Sequence, residues 1–184
     1  INFAALFFAV EKLSVYTIAF SGLKEGKHDF DYHIGQSFFE HFENSLVDQA
    51  DIRVNVTLEK RSSYMALELV LKGTVRLTCD RCLEPYDQPV KHKTVLYVKF
   101  GEGNQEEDDG VIWLHPEDYQ INVSQIIYEY ICLSIPLRHV HPSGKEGGSG
   151  CDPEMLRRIK KYHVSAAQQS DSRWDQLKNL RNNN

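Results

Sequence analysis

Between residues 52 and 77 apolar side chains fall at every second position, and few folds accept that pattern over such a length. Ile52, Val54, Val56 and Leu58 alternate with polar residues. After a break at Lys60-Arg61-Ser62-Ser63 the period resumes at Met65, Leu67, Leu69, Leu71, Val75 and Leu77. Successive side chains of a strand point to opposite faces, so a period of two puts all of these on one side of a sheet. The two runs predict a long hairpin with one buried face. A slip of one residue would turn the whole set to solvent, which fixes the register strongly. Continued, the inward phase lands on Cys79.

The flanking segments extend this reading. Residues 15–20 and 28–34 read as strands, the second with Phe30, Tyr32 and Ile34 on one side. Residues 90–100 read as another, with Leu96, Val98 and Phe100 in phase, and residues 111–114 as a short one. Helical stripes place helices at about residues 36–44, through Phe38, Phe39 and Phe42, and 123–133, through Val123, Ile126, Ile127, Tyr130 and Ile131. Asn122 is placed to cap the second and Pro136 to stop it. A third, basic helix is expected over 153–162, opening at Asp152 or Pro153. The predicted fold is α+β, a mostly antiparallel sheet of about six or seven strands with three or more helices.

The division expected along the 184 residues is a single α+β domain over 13–163 between two appendages. Residues 1–12 form an apolar extension, too short to span a bilayer and without the pattern of a secretory signal. Residues 164–184 form a polar tail with a short amphipathic segment at Trp174, Leu177 and Leu180. Gly101 to Gly110, with five acids and no base, and the Gly/Ser-rich run Ser143 to Gly150 read as loops.

Charge is segmented. The net charge is −5, which by itself does not mark a nucleic-acid binder. Yet residues 60–99 carry eight Lys/Arg against four Asp/Glu, and residues 136–163 carry six against three, whereas residues 100–135 hold eight acids and no base. Either these blocks neutralise one another, or the folded chain presents a basic face. Lys72, Arg76 and Arg81 lie along the hairpin and its tip, with Lys91 and Lys93 following, and Arg157, Arg158, Lys160 and Lys161 crowd the last helix. Such groups suit RNA phosphates, with salt-dependent affinity. The nearby aromatics, Tyr86 and Tyr162, are too few to argue base stacking.

The sharpest local motif is Cys79-x-x-Cys82. Two thiols at this spacing can wrap one ion, but they supply only half of a tetrahedral site. Cys151 and His141, with His139 as a substitute, are candidates for the other half. Cys79, Cys82, His141 and Cys151 would make a Cys3His structural zinc site stapling the hairpin tip to a distal loop. Two other readings stay open: reduced thiols without a metal, and a thiol oxidoreductase. The last is disfavoured because the pair follows a strand and precedes another, where a redox CxxC opens a helix. Cys132 and the remaining histidines read as packing or exposed residues. No nucleophile elbow, zinc-protease, P-loop or dinucleotide fingerprint occurs in the sequence, so nothing points to an enzyme.

The run Gly73-Thr74-Val75-Arg76-Leu77-Thr78-Cys79-Asp80-Arg81-Cys82-Leu83-Glu84-Pro85 resembles the core of the YceD-like proteins, the large-ribosomal-RNA-accumulation family of bacteria and plastids. Residues 121–136, ending Leu133-Ser134-Ile135-Pro136, resemble the family's Leu-x-x-Pro helix. His141 and Cys151 fall where the family carries a second Cys- or His-containing segment, and residues 171–180 resemble its closing segment. Many members carry two cysteine pairs, whereas this chain has one cysteine and a histidine in the second half. The resemblance implies a non-enzymatic cytoplasmic factor for accumulation or processing of large-subunit (23S) ribosomal RNA. Its expected partners are that RNA or its precursor, or alternatively a ribosomal protein bound by an adaptor surface, with no membrane.

Overall fold

The computed structural model describes residues 13–101, 110–142 and 150–163. They group into two compact units. The first holds the described residues up to Thr78 together with Pro85 to His139, and the second holds Cys79–Glu84 and the described residues from Val140 onward. The expected Trp174/Leu177/Leu180 segment, the apolar extension and most of both loops lie outside the described residues.

The first unit is built on a five-stranded sheet in the order β2-β3-β4-β5-β6. Its strands are β2 (Gly26–Ile34), β3 (Ala50–Lys60), β4 (Met65–Thr78), β5 (Pro85–Phe100) and β6 (Val111–Leu114). Neighbours from β2 to β5 are antiparallel, and β6 joins the end of β5 in parallel. A two-stranded ladder, β1 (Thr17–Ile18) with β7 (Ile121–Asn122), completes seven strands among the described residues. The helices are α1 (Gln36–Phe39), α2 (Ser124–Ser134) and α3 (Pro153–Tyr162), the last in the second unit. The fold is therefore α+β and mostly antiparallel. No helix among the described residues is long and apolar enough to cross a membrane.

The alternation did fix which face is inside. Ile52, Val54, Val56 and Leu58 are buried, as are Met65, Leu67, Leu69, Leu71, Val75, Leu77 and Cys79. Each fully buried aliphatic side chain contributes roughly 1.5–3 kcal/mol, so this one face carries much of the unit's stability. Ile127 and Ile131 on the inner stripe of α2 are buried as well.

Gly73 interrupts the inward series for a steric reason. A Cβ there would lie 2.1 Å from the Asp51 carbonyl oxygen and 2.6 Å from the Ile52 Cα. The backbones of β3 and β4 approach so closely at this pair that only hydrogen fits.

Four local expectations differ in detail. Residues 15–20 are not one strand: Leu13–Tyr16 is a 3-10 turn, and only Thr17–Ile18 pairs. There the Tyr16 ring packs on Tyr32 and Phe38, at 5.2 and 5.1 Å, and Val15 faces solvent. The helix expected over 36–44 stops at Phe39. Beyond it the chain continues in tight turns, with the His41 and Phe42 amides donating to the Phe38 and Phe39 carbonyls, and Asn44 adopts left-handed backbone.

β5 starts at Pro85 and not at residue 90. Pro85 and Pro89 pair with Thr78 and Thr74, while β6 reaches only Tyr97–Phe100. Among the described residues the early part of β5 has one open edge, where a proline lacking N–H is tolerated. Finally, α2 begins at Ser124, one residue late. The N-cap position is therefore Val123, which makes no side-chain cap bond, and not Asn122, whose Oδ1 accepts from the Ser124 amide and hydroxyl at 2.9 and 2.5 Å.

Candidate metal centre

Cys79 directly follows β4 and opens a six-residue turn, Cys79–Glu84, organised around its sulfur. The Cys79 amide donates to the Glu84 carbonyl at 3.0 Å, and the Leu83 amide donates to the Cys79 carbonyl at 2.9 Å. Leu83 holds φ at 63°, a left-handed conformation that a β-carbon disfavours. Folding the turn this tightly aims the Arg81 amide at Cys79 Sγ, 3.5 Å away. A backbone N–H directed at sulfur favours thiolate over thiol.

His141 and Cys151 arrive from the far side of the sequence and meet this turn inside the second unit. Cys79 Sγ lies 3.7 Å from Cys151 Sγ, and Cys82 Sγ lies 3.4 Å from His141 Nδ1. All four donor atoms fall within 4.8 Å of one another. The cysteines are unbridged. Cys79, Cys82 and Cys151 are only 0%, 2% and 4% exposed, so solvent does not compensate them. Sulfurs in a disulfide stand about 2.05 Å apart, so 3.7 Å is a non-bonded approach.

That separation has a simple geometric meaning. With metal bonds of about 2.3 Å to sulfur and about 2.05 Å to nitrogen, a regular tetrahedron has edges of about 3.8 Å between sulfurs and about 3.6 Å between sulfur and nitrogen. The observed 3.7 and 3.4 Å match both edges. The donor set and its spacing are compatible with a bound metal ion.

Electrostatics point the same way. Burial by itself would raise the Cys79 thiol. Hydrogen bonds from the backbone of Cys82, Arg81 and His141 and from the His141 side chain outweigh it and hold the group at about 5, against an ordinary 9.0. The shift favours the thiolate, the form that ligates. Cys132 behaves in the opposite way: half-buried on α2 in the other unit, its thiol is pushed up by burial.

Gly150 carries no signal beyond its place in a Gly/Ser-rich stretch, yet the fold uses it. A Cβ there would stand 3.1 Å from the His141 Cβ and 3.2 Å from the Pro142 carbonyl oxygen, so a side chain would press on the imidazole's attachment point.

α3 follows Cys151 at once. Asp152 is its N-cap, accepting from the amides of Glu154 and Met155 at 3.1 Å each, and Pro153 takes the first helical position. Asp152→Ala is expected to cost about 1 kcal/mol, read as reduced helical circular dichroism and a lower urea midpoint. At 100° per residue Met155, Leu156 and Ile159 share one side of the helix, and Arg157, Arg158, Lys160 and Lys161 share the other.

The structure distributes the expected basic residues between the units. Arg81 and the four α3 cations belong to the second unit, and Lys72 and Arg76 to the sheet. All seven are exposed. Arg76 is engaged with Asp87 at 2.9 Å, Arg158 with Glu154, and Lys161 Nζ sits 5.5 Å from the Tyr162 ring centre. Tyr86 is buried and so cannot stack on a base.

Residues 67–181, well over half of the chain, match the family described as Large ribosomal RNA subunit accumulation protein YceD. The matched stretch takes in all four clustered donors and the whole of α3. No curated protein and no solved structure matches significantly.

Proposed function

Since the chain belongs to the YceD family, we propose that it supports accumulation or processing of large-subunit ribosomal RNA as a non-enzymatic factor that contacts the RNA or its precursor directly. Zinc held by Cys79, Cys82, His141 and Cys151 shapes the second unit. RNA phosphates are met by Arg81 and by Arg157, Arg158, Lys160 and Lys161, with Lys72 and Arg76 contributing from the sheet. The observation that carries this reading is the gathering of four donors within 4.8 Å of one another, two of their separations near tetrahedral edges, with Cys151 one residue before the N-cap of a helix whose one side is cationic. The ion acts as a structural clamp here, since four protein ligands leave no open position for a substrate or a reacting water.

The test is binding of a large-subunit ribosomal RNA fragment to the full chain, followed against salt. Neutralising Arg157, Arg158, Lys160 and Lys161 together as glutamines is expected to flatten the dependence of log K on log salt by about 2 to 3. Single-stranded RNA releases about 0.7 ion per phosphate contact. Binding that ignores salt, or a quadruple variant that binds like the wild type, sinks direct RNA contact. A ribosomal protein that stays bound after nuclease digestion would favour the adaptor reading instead.

A further inference from the structure

The outer face of the sheet carries a feature that only strand register creates. Arg53 on β3 is directly opposite Lys72 on β4, and Lys72 is directly opposite Lys91 on β5. Three cations therefore stand side by side in one row, about 10 Å from end to end at the usual strand spacing. All three are exposed. Like charges directly opposite on neighbouring strands destabilise a sheet, so the row costs the isolated protein stability.

Among the described residues no acid of that face is ion-paired to the row. Asp29 accepts from Thr57 at 2.6 Å, Asp31 from Asn55 at 2.9 Å, and Asp51 pairs with His33 at 2.8 Å. Glu59 is engaged by Arg61, Glu68 by Lys93, and Asp87 by Arg76. Asp51, Glu59, Glu68 and Asp87 thus have ion-pair partners outside the row, Asp29 and Asp31 are held by neutral side chains, and among the described residues Arg53, Lys72 and Lys91 have no ion pair. Beside the row lies an open depression of about 630 Å³, lined by Asp31, His33, Arg53, Asn55, Val70 and Lys72 among others.

We propose that Arg53, Lys72 and Lys91 form a track for consecutive phosphate groups of a single RNA strand crossing the outer face of the sheet. The RNA identity of the ligand rests on the function proposed above. The track itself rests on the in-register row, whose cations form no ion pair among the described residues, and adds Arg53 and Lys91, which that function does not use. A polyphosphate backbone supplies regularly spaced negative charge and removes the cross-strand repulsion on binding.

The experiment is the double variant Arg53→Gln/Lys91→Gln in the full chain, titrated with a single-stranded ribosomal RNA oligonucleotide between 50 and 200 mM salt. Loss of two contacts should flatten the slope by about 1.4, so that over this range the variant loses about 7-fold less affinity than the wild type. Its melting temperature should equal or exceed the wild type's, because in-register repulsion is gone. An unchanged slope in this variant, with the slope reduced in the α3 quadruple variant, overturns the track and leaves the proposed function standing. Wild-type protein that binds no RNA overturns both. Polyglutamate raising the wild-type melting temperature as much as the oligonucleotide does would assign the row to an acidic polypeptide and overturn the RNA assignment.

Discussion

Protein purified under reducing conditions without chelator is expected to carry about one zinc ion per chain, and Cys82→Ser almost none. Structural zinc in small sites is bound with about 10–16 kcal/mol at neutral pH, because closed sites of four soft or borderline donors leave nothing to water. Here three of the four donors are buried sulfurs, and the hydrogen bonds that lower the Cys79 thiol reduce the cost of removing its proton on binding. Removing one ligand should weaken affinity by more than about 100-fold, the upper end of what loss of a mere outer-shell partner costs. Metal analysis before and after dialysis against a chelator reads the outcome. A metal content below about a tenth of an equivalent in the wild type would remove the clamp from the proposed function.

The second large effect belongs to the sheet. Gly73→Val is expected to leave no folded first unit, and Gly73→Ala to be barely folded. The atoms that a Cβ would meet, the Asp51 carbonyl oxygen at 2.1 Å and the Ile52 Cα at 2.6 Å, are backbone. No rotamer change can move them aside, so β3 and β4 would have to part at the third of the eleven pairs of their ladder, counted from Ala50. Costs above about 4–5 kcal/mol are rare for one substitution and arise from such clashes. Here that is comparable with the roughly 5–15 kcal/mol that keeps a domain folded. Gly22→Ala is the matching control, since its Cβ would meet nothing within 4 Å. A Gly73→Ala protein with the wild-type urea midpoint would show that the two backbones can separate without loss.

Much of the architecture was legible in the chain because burial on one face of a strand imposes a period of two, a signal that needs no knowledge of the partner strand. The inward set from Ile52 to Leu77 follows from it. Start and stop chemistry was equally local: Asp152 and Pro153 open α3, and Pro136 follows the end of α2. The local signals failed where neighbours decide. Phe38, Phe39 and Phe42 have helical spacing, but Phe42 stacks on Tyr128 at 4.1 Å while the backbone turns more tightly than an α-helix. Residues 90–100 read as a strand, yet β5 starts at Pro85, where the short reach of β6 leaves one edge open among the described residues.

Alternation, capping residues and the CxxC spacing, then, belonged to the sequence alone, because each concerns residues a few positions apart whose relative geometry the backbone dictates. Residue type nominated His141 and Cys151 as ligands, but only folding brought them beside Cys79 and Cys82, across separations of 59 and 72 positions. The cationic row of Arg53, Lys72 and Lys91 was likewise the work of the tertiary structure. Which residues face one another across strands is set by register, and register depends on how whole strands bury their apolar faces together.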